Sequence, residues 1–150
     1  MSSMFTVNSY GHGEQTLEDL GGQPLIPDTG WVQVPITNTT NFSIYGGVAA
    51  SAPHVRKIGN QVWFRGALNN LIAGTVDAAS TTADTLFTTL PTGFRPSVDW
   101  VSPTYVCQGS STNRWALRIF DNGACYAHRY GPSTAAAGAW LPFAVTWLVD

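Results

Sequence analysis

The sequence predicts a single all-β domain with the architecture of a sandwich or a barrel, and three observations favour this fold class. The chain has 150 residues, the size of one ordinary domain built around one hydrophobic core. From Trp31 onward, short runs of β-branched and aromatic residues are separated by clusters of Gly, Pro, Asn and Ser, a pattern typical of sandwiches and barrels. No segment keeps a helical period of apolar residues over three turns.

The first part of the chain differs from the rest. Residues 1–28 contain Glu14, Glu18 and Asp19 among several glycines and prolines, without a sustained apolar period. We therefore expect residues 1–28 to be a linker or a stalk remnant and residues 29–150 to form the β domain.

The strands of the β domain are predicted in order from their β-branched and aromatic content and from the turn residues between them. The strand at residues 86–90 is followed by Pro91, which ends it. In the last strand, every second residue from Val145 to Val149 is large and apolar, and this pattern assigns Trp147 to the core. The predicted strands span residues 31–34, 42–45, 54–58, 61–68, 86–90, 99–107, 114–120, 124–130 and 143–149.

Two tight turns predict the pairing of four of these strands. Gly59-Asn60 lies between residues 55–58 and 61–64, and Asn122-Gly123 lies between residues 117–121 and 124–128. Asn-Gly favours a two-residue type I′ hairpin turn. The resulting pairs at the second turn are Ile119 with Tyr126, Leu117 with His128 and Trp115 with Tyr130 on the core face, and Arg118 with Ala127 and Ala116 with Arg129 on the other face.

Composition argues against several partners and cofactors. Charged residues make up 11% of the chain and the net charge is −2, so no basic stripe is present for nucleic acid. The sequence has neither a run of about 18 apolar residues nor a secretory signal pattern, and we expect no membrane insertion. Cys107 and Cys125 lack zinc-type spacing with the histidines. We expect no metal or cofactor and two free thiols, although the sequence leaves their pairing open.

Three segments carry a resemblance to a known family. They are Asp28-Thr29-Gly30-Trp31, residues 55–66 (VRKIGNQVWFRG) and residues 90–96 (LPTGFRP). In this order they resemble the C-terminal receptor-binding (head) domains of phage and prophage tail fibre or baseplate proteins. The resemblance covers residues 28–96 well and the remainder in outline.

This resemblance implies an antiparallel β-sandwich or jelly-roll-like barrel that assembles as a homotrimer. It also implies adhesion, without catalysis, to a saccharide on the bacterial host surface. The partners would be that saccharide, two further copies of the chain, and other tail or baseplate proteins on the N-terminal side. The location would be the virion tail, assembled in the bacterial cytoplasm and acting outside the host cell.

The sequence contains no recognisable catalytic motif, such as a nucleophile elbow, a HExxH zinc motif or a phosphate-binding loop. Two alternatives stay open. The first is a purely structural fibre-tip or tail-interaction domain that binds no glycan. The second, less favoured, is a polysaccharide-degrading enzyme with two carboxylates chosen from Asp77, Asp84, Asp99 and Asp121. These acids form no spaced pair, and Asp121 stands where a turn aspartate is expected. We therefore expect no enzymatic activity.

Aromatic residues near strand ends suggest a saccharide site, because aromatic faces pack against sugar rings while polar neighbours bind hydroxyl groups. The favoured rims are the loops at residues 108–113 and 131–139, although these loops are as well explained as plain connections. Trp31 and Trp63 are assigned to the core or to a subunit interface. The candidate ligand residues are Trp100, Trp115, Arg129, Tyr130 and Trp140, with His128 and Asp121 beside them.

Overall fold

The computed structural model describes residues 25–76, 84–102, 105–106, 113–131 and 135–150, together with two short strands before them. The strands are β1 (Thr6–Val7), β2 (Gly13–Glu14), β3 (Val32–Gln33), β4 (Phe42–Ile44), β5 (His54–Ile58), β6 (Gln61–Asn70), β7 (Thr85–Thr89), β8 (Trp100–Val101), β9 (Tyr105–Val106), β10 (Arg114–Ile119), β11 (Ala124–Gly131) and β12 (Trp140–Leu148). Short 3-10 turns span Tyr45–Gly47, Ala49–Ser51 and Thr92–Phe94. No helix in these ranges has the length and apolar character needed to cross a membrane.

The strands form antiparallel sheets, which confirms the predicted all-β class. Sheet I has the order β7-β11-β10-β8, and β9 continues beside β8 along the same edge of β10. Sheet II has the order β12-β6-β5-β3, and β4 pairs with the far end of β6. Strands β1 and β2 pair with each other.

One hydrophobic core lies between the inner faces of the two sheets, which gives the fold a sandwich-like arrangement. Alternate residues of each strand point into it, as the period of two in a strand requires. Its largest fully buried side chains are Trp115, Phe42, Phe64, Phe87, Leu68, Leu90, Leu117, Ile119 and Leu141.

The predicted strand positions are largely confirmed, and the main differences concern three strands. The predicted strand 99–107 is two short strands, β8 and β9. Strand β3 has only two residues. Strand β12 begins at Trp140 and continues through Pro142, which is tolerated because β12 is at the edge of sheet II, where the missing proline N–H can face away from β6.

The hairpin between β5 and β6 has the predicted register. Ile58 pairs with Gln61 across Gly59-Asn60, and Arg56 consequently lies opposite Trp63 and His54 opposite Arg65.

The hairpin between β10 and β11 does not have the predicted register. Its loop has three residues, because the Phe120 N–H donates to the Ala124 carbonyl at 3.0 Å and the Gly123 N–H donates to the Phe120 carbonyl at 2.8 Å. Gly123 has a φ of +89°, as expected at the third position of such loops. The pairs from Ala116 to Ile119 are shifted by one residue, so Ile119 lies opposite Cys125 and Leu117 opposite Ala127. A bulge between Arg114 and Ala116 then changes the register again, and Arg114 lies opposite Gly131.

Two motif residues have structural roles. A Cβ atom on Gly66 would lie 2.9 Å from both the Phe143 ring and the Pro53 Cα, so this position allows the close backbone approach that the sequence predicted. The Arg95 Nε donates to the Leu90 carbonyl at 2.9 Å, which holds the turn of the 90–96 segment. The Trp147 indole donates to the Phe94 carbonyl at 3.0 Å and ties this turn to β12.

Candidate functional site

The outer face of sheet II, here called the open face, consists of the outward-pointing residues of its strands. On β6 these are Trp63 and Arg65, and directly opposite them on β12 are Thr146 and Ala144. Their neighbours Phe64 and Val145 are buried in the core, so strand alternation fixes which side chains face outward. The open face therefore presents aromatic, cationic and small neutral groups side by side.

The segment Asp28–Trp31 adds a ring to this face from outside the strands. The Thr29 N–H donates to the Lys57 carbonyl at 3.0 Å, which fastens the segment to the edge of β5. The Asp28 carboxylate accepts the Gly30 N–H at 2.8 Å and pairs with the Arg56 guanidinium at 2.6 Å. This network closes a tight turn and places Trp31 over the sheet.

Trp31 and Arg65 stack at the centre of the open face. The Arg65 guanidinium carbon lies 4.3 Å from the centre of the Trp31 ring, a cation–π contact. Trp31 keeps 40% of its surface exposed. A groove of about 360 Å³ runs beside this pair, walled by Trp31, Trp63 and Arg65 and floored by β12 at Ala144 and Thr146.

A second groove of about 300 Å³ meets the first along β12 and is walled by Trp100 and Tyr105. Both grooves share Ala144, Val145 and Thr146. The Tyr105 hydroxyl donates to the Ala144 carbonyl at 3.0 Å, which holds its ring against the strand edge. Burial raises the pKa of the Tyr105 phenol, so the hydroxyl keeps its proton for this bond at neutral pH. Together the grooves form an aromatic surface on both sides of β12.

The charges of the open face are unevenly paired. The Arg56 guanidinium, followed by the Gly30 N–H, lowers the pKa of Asp28 from 3.8 to about 2, so this carboxylate stays ionised and neutralises Arg56. Arg65, in contrast, takes part in none of the ion pairs found in the described part of the chain. Among the contacts of the described residues, its guanidinium lies against the Trp31 ring.

Two of the three segments that carry the phage-tail resemblance meet at the first groove, beside Trp31 and Arg65. Residues 28–31 supply Trp31, and residues 55–66 supply Trp63 and Arg65. No protein-family model matches this chain, and no curated protein matches it. The resemblance therefore stays an expectation based on these segments.

The predicted ligand residues do not all gather at one place. Trp100 is half-buried in the wall of the second groove, with its ring 6.2 Å from that of Trp147. Trp140 is 38% exposed on the far end of the open face, where its ring contacts Tyr45 at 6.0 Å. The side chains of Arg129 and Tyr130 lie outside what the structure describes, as do loop residues 108–112 and 132–134.

Trp115 is a correction to the predicted site. It is 0% exposed, and its indole N–H donates to the Pro142 carbonyl at 2.9 Å inside the core. The hairpin places Trp115 on the same side of β10 as Leu117 and Ile119, so its ring bridges the two sheets. It is unavailable to a surface ligand.

His128 is also placed differently from the prediction. The one-residue shift of the hairpin removes it from the core face and puts it beside Ala116 on the outer face of sheet I. There its Nδ1 contacts the Asp84 carboxylate, which also accepts the Arg118 NH1 at 2.7 Å. Arg118 and His128 thus both pair with Asp84 and form one cluster.

Of the carboxylates considered for catalysis, Asp84 and Asp99 have hydrogen-bond partners among the described residues. Asp84 is bound by Arg118 and His128, and the Asp99 carboxylate accepts the Asp121 N–H at 3.2 Å beside the hairpin turn. Asp121 is the first residue of the three-residue hairpin loop and is exposed, and Asp77 lies outside the described residues. Within the described ranges, no three His, Cys, Asp or Glu side chains gather as metal ligands. Cys125 is a free, buried thiol whose pKa is raised by burial, while Cys107 lies outside the described residues.

Sequence reasoning missed the central members of the open face, although a signal was present. The Gly59-Asn60 turn already places Arg56 opposite Trp63 and His54 opposite Arg65. A face that carries two arginines and a histidine is the solvent side of a sheet, because unpaired charges are rarely buried. Trp63 therefore had to point outward, so the assignment of Trp31 and Trp63 to the core is wrong, whereas their assignment to a subunit interface stays a prediction.

Proposed function

We propose that this chain is the receptor-binding head domain of a phage tail fibre or baseplate protein, and that it binds a host-surface saccharide on the open face without catalysis. The observation that carries this proposal is the pair of aromatic grooves that meet at β12. Trp rings that lie beside hydroxyl and guanidinium groups suit a sugar ligand. The rings pack on the C–H faces of the sugar, and the polar groups bind its hydroxyl groups.

The form of the grooves suggests how such a domain would reach useful affinity. Both are open and shallow, so a single site would bind weakly. A homotrimer with a jelly-roll-like fold, as the sequence resemblance implies, would present three such sites to one cell surface. Linking the sites raises the apparent affinity without new contacts. In this proposal the N-terminal side of the chain attaches to other tail or baseplate proteins.

A second candidate is a structural tip or tail-interaction domain that binds no glycan. Exposed apolar side chains on and around sheet II favour it, with Ile26 71%, Leu148 62% and Val32 37% exposed. Such residues are typical of surfaces that are covered by another chain. In this alternative the partner would be a second copy or another tail protein.

The first experiment combines light scattering during size-exclusion chromatography with binding of the labelled chain to a panel of bacterial cells. We expect a trimer that binds the cells of at least one strain. The double variant Trp31→Ala/Trp63→Ala should stay a trimer and lose cell binding by about tenfold or more. Ile72→Ala, which removes an exposed apolar side chain elsewhere (47% exposed), is the matched control and should bind normally.

The other outcomes separate the two candidates. A chain that binds none of the cells contradicts receptor binding. A double variant that dissociates into monomers shows that the open face is a subunit interface and favours the structural role.

A further inference from the structure

We propose that the saccharide bound on the open face is acidic and that Arg65 binds its carboxylate or phosphate group. This inference rests on the proposed function and adds the chemical class of the ligand. It depends on three properties of Arg65: its exposure, its contact with Trp31, and the absence of a carboxylate partner among the described residues.

The contact with Trp31 orients the guanidinium without using up its hydrogen-bond donors. Arg65 lies over the ring with its carbon 4.3 Å from the ring centre. Such a contact involves the π-system of the ring, whereas the five N–H groups of arginine project from the edges of the guanidinium plane. These donors match a carboxylate or phosphate in a two-point fashion, which a lysine does not achieve. Arg65 is therefore prepared to bind an anion at the wall of the groove.

The charge balance of the open face also favours an anion. Asp28 neutralises Arg56 at a distance of 2.6 Å, so this pair contributes little net charge. Among the described residues, Arg65 remains as the charge of this face that has no ion-pair partner. Asp150 lies beyond the end of β12, about 20 Å along the strand from Ala144, since a strand rises about 3.3 Å per residue. Among the described residues, the groove around Arg65 is therefore locally positive.

The net charge of the chain limits the attraction of an anion to the immediate surroundings of Arg65. With a net charge of −2, the protein as a whole does not attract anions over long range. An acidic sugar would be bound through a short contact with Arg65, while Trp31, Trp63, Trp100 and Tyr105 supply the packing surface for its rings. We expect the affinity to fall with added salt, but only by the small amount that one ion contact produces.

The test uses surface polysaccharide extracted from a strain that the chain binds. Three preparations are compared by biolayer interferometry: native polysaccharide, polysaccharide whose carboxyl groups have been reduced to alcohols, and polysaccharide treated with hydrofluoric acid to remove phosphate. We expect one of the two treatments to weaken binding by about tenfold or more, because a hydrogen bond to a charged group contributes about 1.5–3 kcal/mol. The treatment that weakens binding identifies the acidic group.

Three variants test whether Arg65 binds this acidic group. Arg65→Gln should bind native and treated polysaccharide alike. Ala144→Glu places a carboxylate directly opposite Arg65 in the cross-strand pair and should have the same effect while leaving both Trp rings in place. Arg114→Gln removes one positive charge from an exposed position on sheet I and should retain the preference.

The failures can be told apart. If both treated preparations bind as tightly as the native one, the ligand is neutral and the inference is wrong while the proposed function stands. If Arg65→Gln keeps the preference, or Arg114→Gln loses it, the acidic group is bound elsewhere and the inference is again wrong. If no strain is bound at all, the proposed function itself is wrong. Thermal unfolding of each variant confirms that it is folded.

Discussion

The outer faces of the two sheets contain the same kind of contact with different surroundings. On sheet II, Arg65 lies 4.3 Å from the centre of the Trp31 ring, and on sheet I, Arg118 lies 4.5 Å from the centre of the Phe120 ring. The guanidinium of Arg118 also binds Asp84, which in turn contacts His128. Arg65 has no such partner in the described part of the chain.

This difference separates an arginine that stabilises the fold from one that is available to a ligand. In the cluster of sheet I, each charged group satisfies another, and His128 is almost completely buried. Removal of one member leaves the others without a partner in a partly dry environment, which costs free energy. Removal of Arg65 leaves no ion-pair partner behind among the described residues. Mutations on the two faces should therefore change different properties. On sheet I they should lower the free energy of unfolding, and on sheet II they should weaken binding.

The largest stability effect in this comparison is expected for Asp84→Asn. The variant leaves Arg118 and the buried His128 without their carboxylate partner, and the free energy of unfolding should fall by about 1–3 kcal/mol. Urea unfolding followed by far-ultraviolet circular dichroism measures this change. Arg65→Gln is the control on the other face and should unfold at nearly the same urea concentration. Equal losses in the two variants would show that the faces do not differ as described.

The sequence predicted most of the fold because strand position and turn position depend on local patterns. The β5–β6 register followed from Gly59-Asn60 alone, although the outward direction of Trp63 and Arg65 that this register implies was not recognised. The β10–β11 register could not be obtained in the same way. The letters Asp121-Asn122-Gly123 fit both a two-residue turn and a three-residue loop that ends in a left-handed glycine, and the two choices differ by one residue in every pair.

That single residue accounts for the wrong face assigned to His128. The error at Trp115 has a different origin. The predicted hairpin already placed Trp115 on the core face with Leu117, so its selection as a ligand residue conflicted with that pairing, and Trp115 is buried in the structure. Trp100 lies in a groove wall as part of the predicted site, but its neighbour Tyr105 and the shared floor at Ala144 and Thr146 come from tertiary pairing of distant strands. No local pattern contains that information.

A smaller stability effect is expected when the rings under the two arginines are removed. Trp31→Ala should lower the free energy of unfolding by about 0.5–1 kcal/mol, the size of an exposed cation–π contact. Phe120→Ala should cost more, because Phe120 also packs edge-on against Tyr126 with ring centres 5.1 Å apart. Urea unfolding of both variants under identical conditions compares them directly. A larger loss for Trp31→Ala would indicate that Trp31 contributes to the core and that the open face is less exposed than the structure indicates.

The smallest effect is expected from pH and concerns the turn that positions Trp31. Its pairing with Arg56 lowers the pKa of Asp28 from 3.8 to about 2, so the contribution of this carboxylate is complete above 3.8 and is lost as the pH falls through about 2. The Trp31 indole N–H resonance, assigned by its loss in Trp31→Phe, should therefore shift with a midpoint near pH 2. Asp28→Asn should remove this transition. A midpoint at or above 3.8 would mean that Arg56 does not hold Asp28 in solution, and that Trp31 reaches the open face without this anchor.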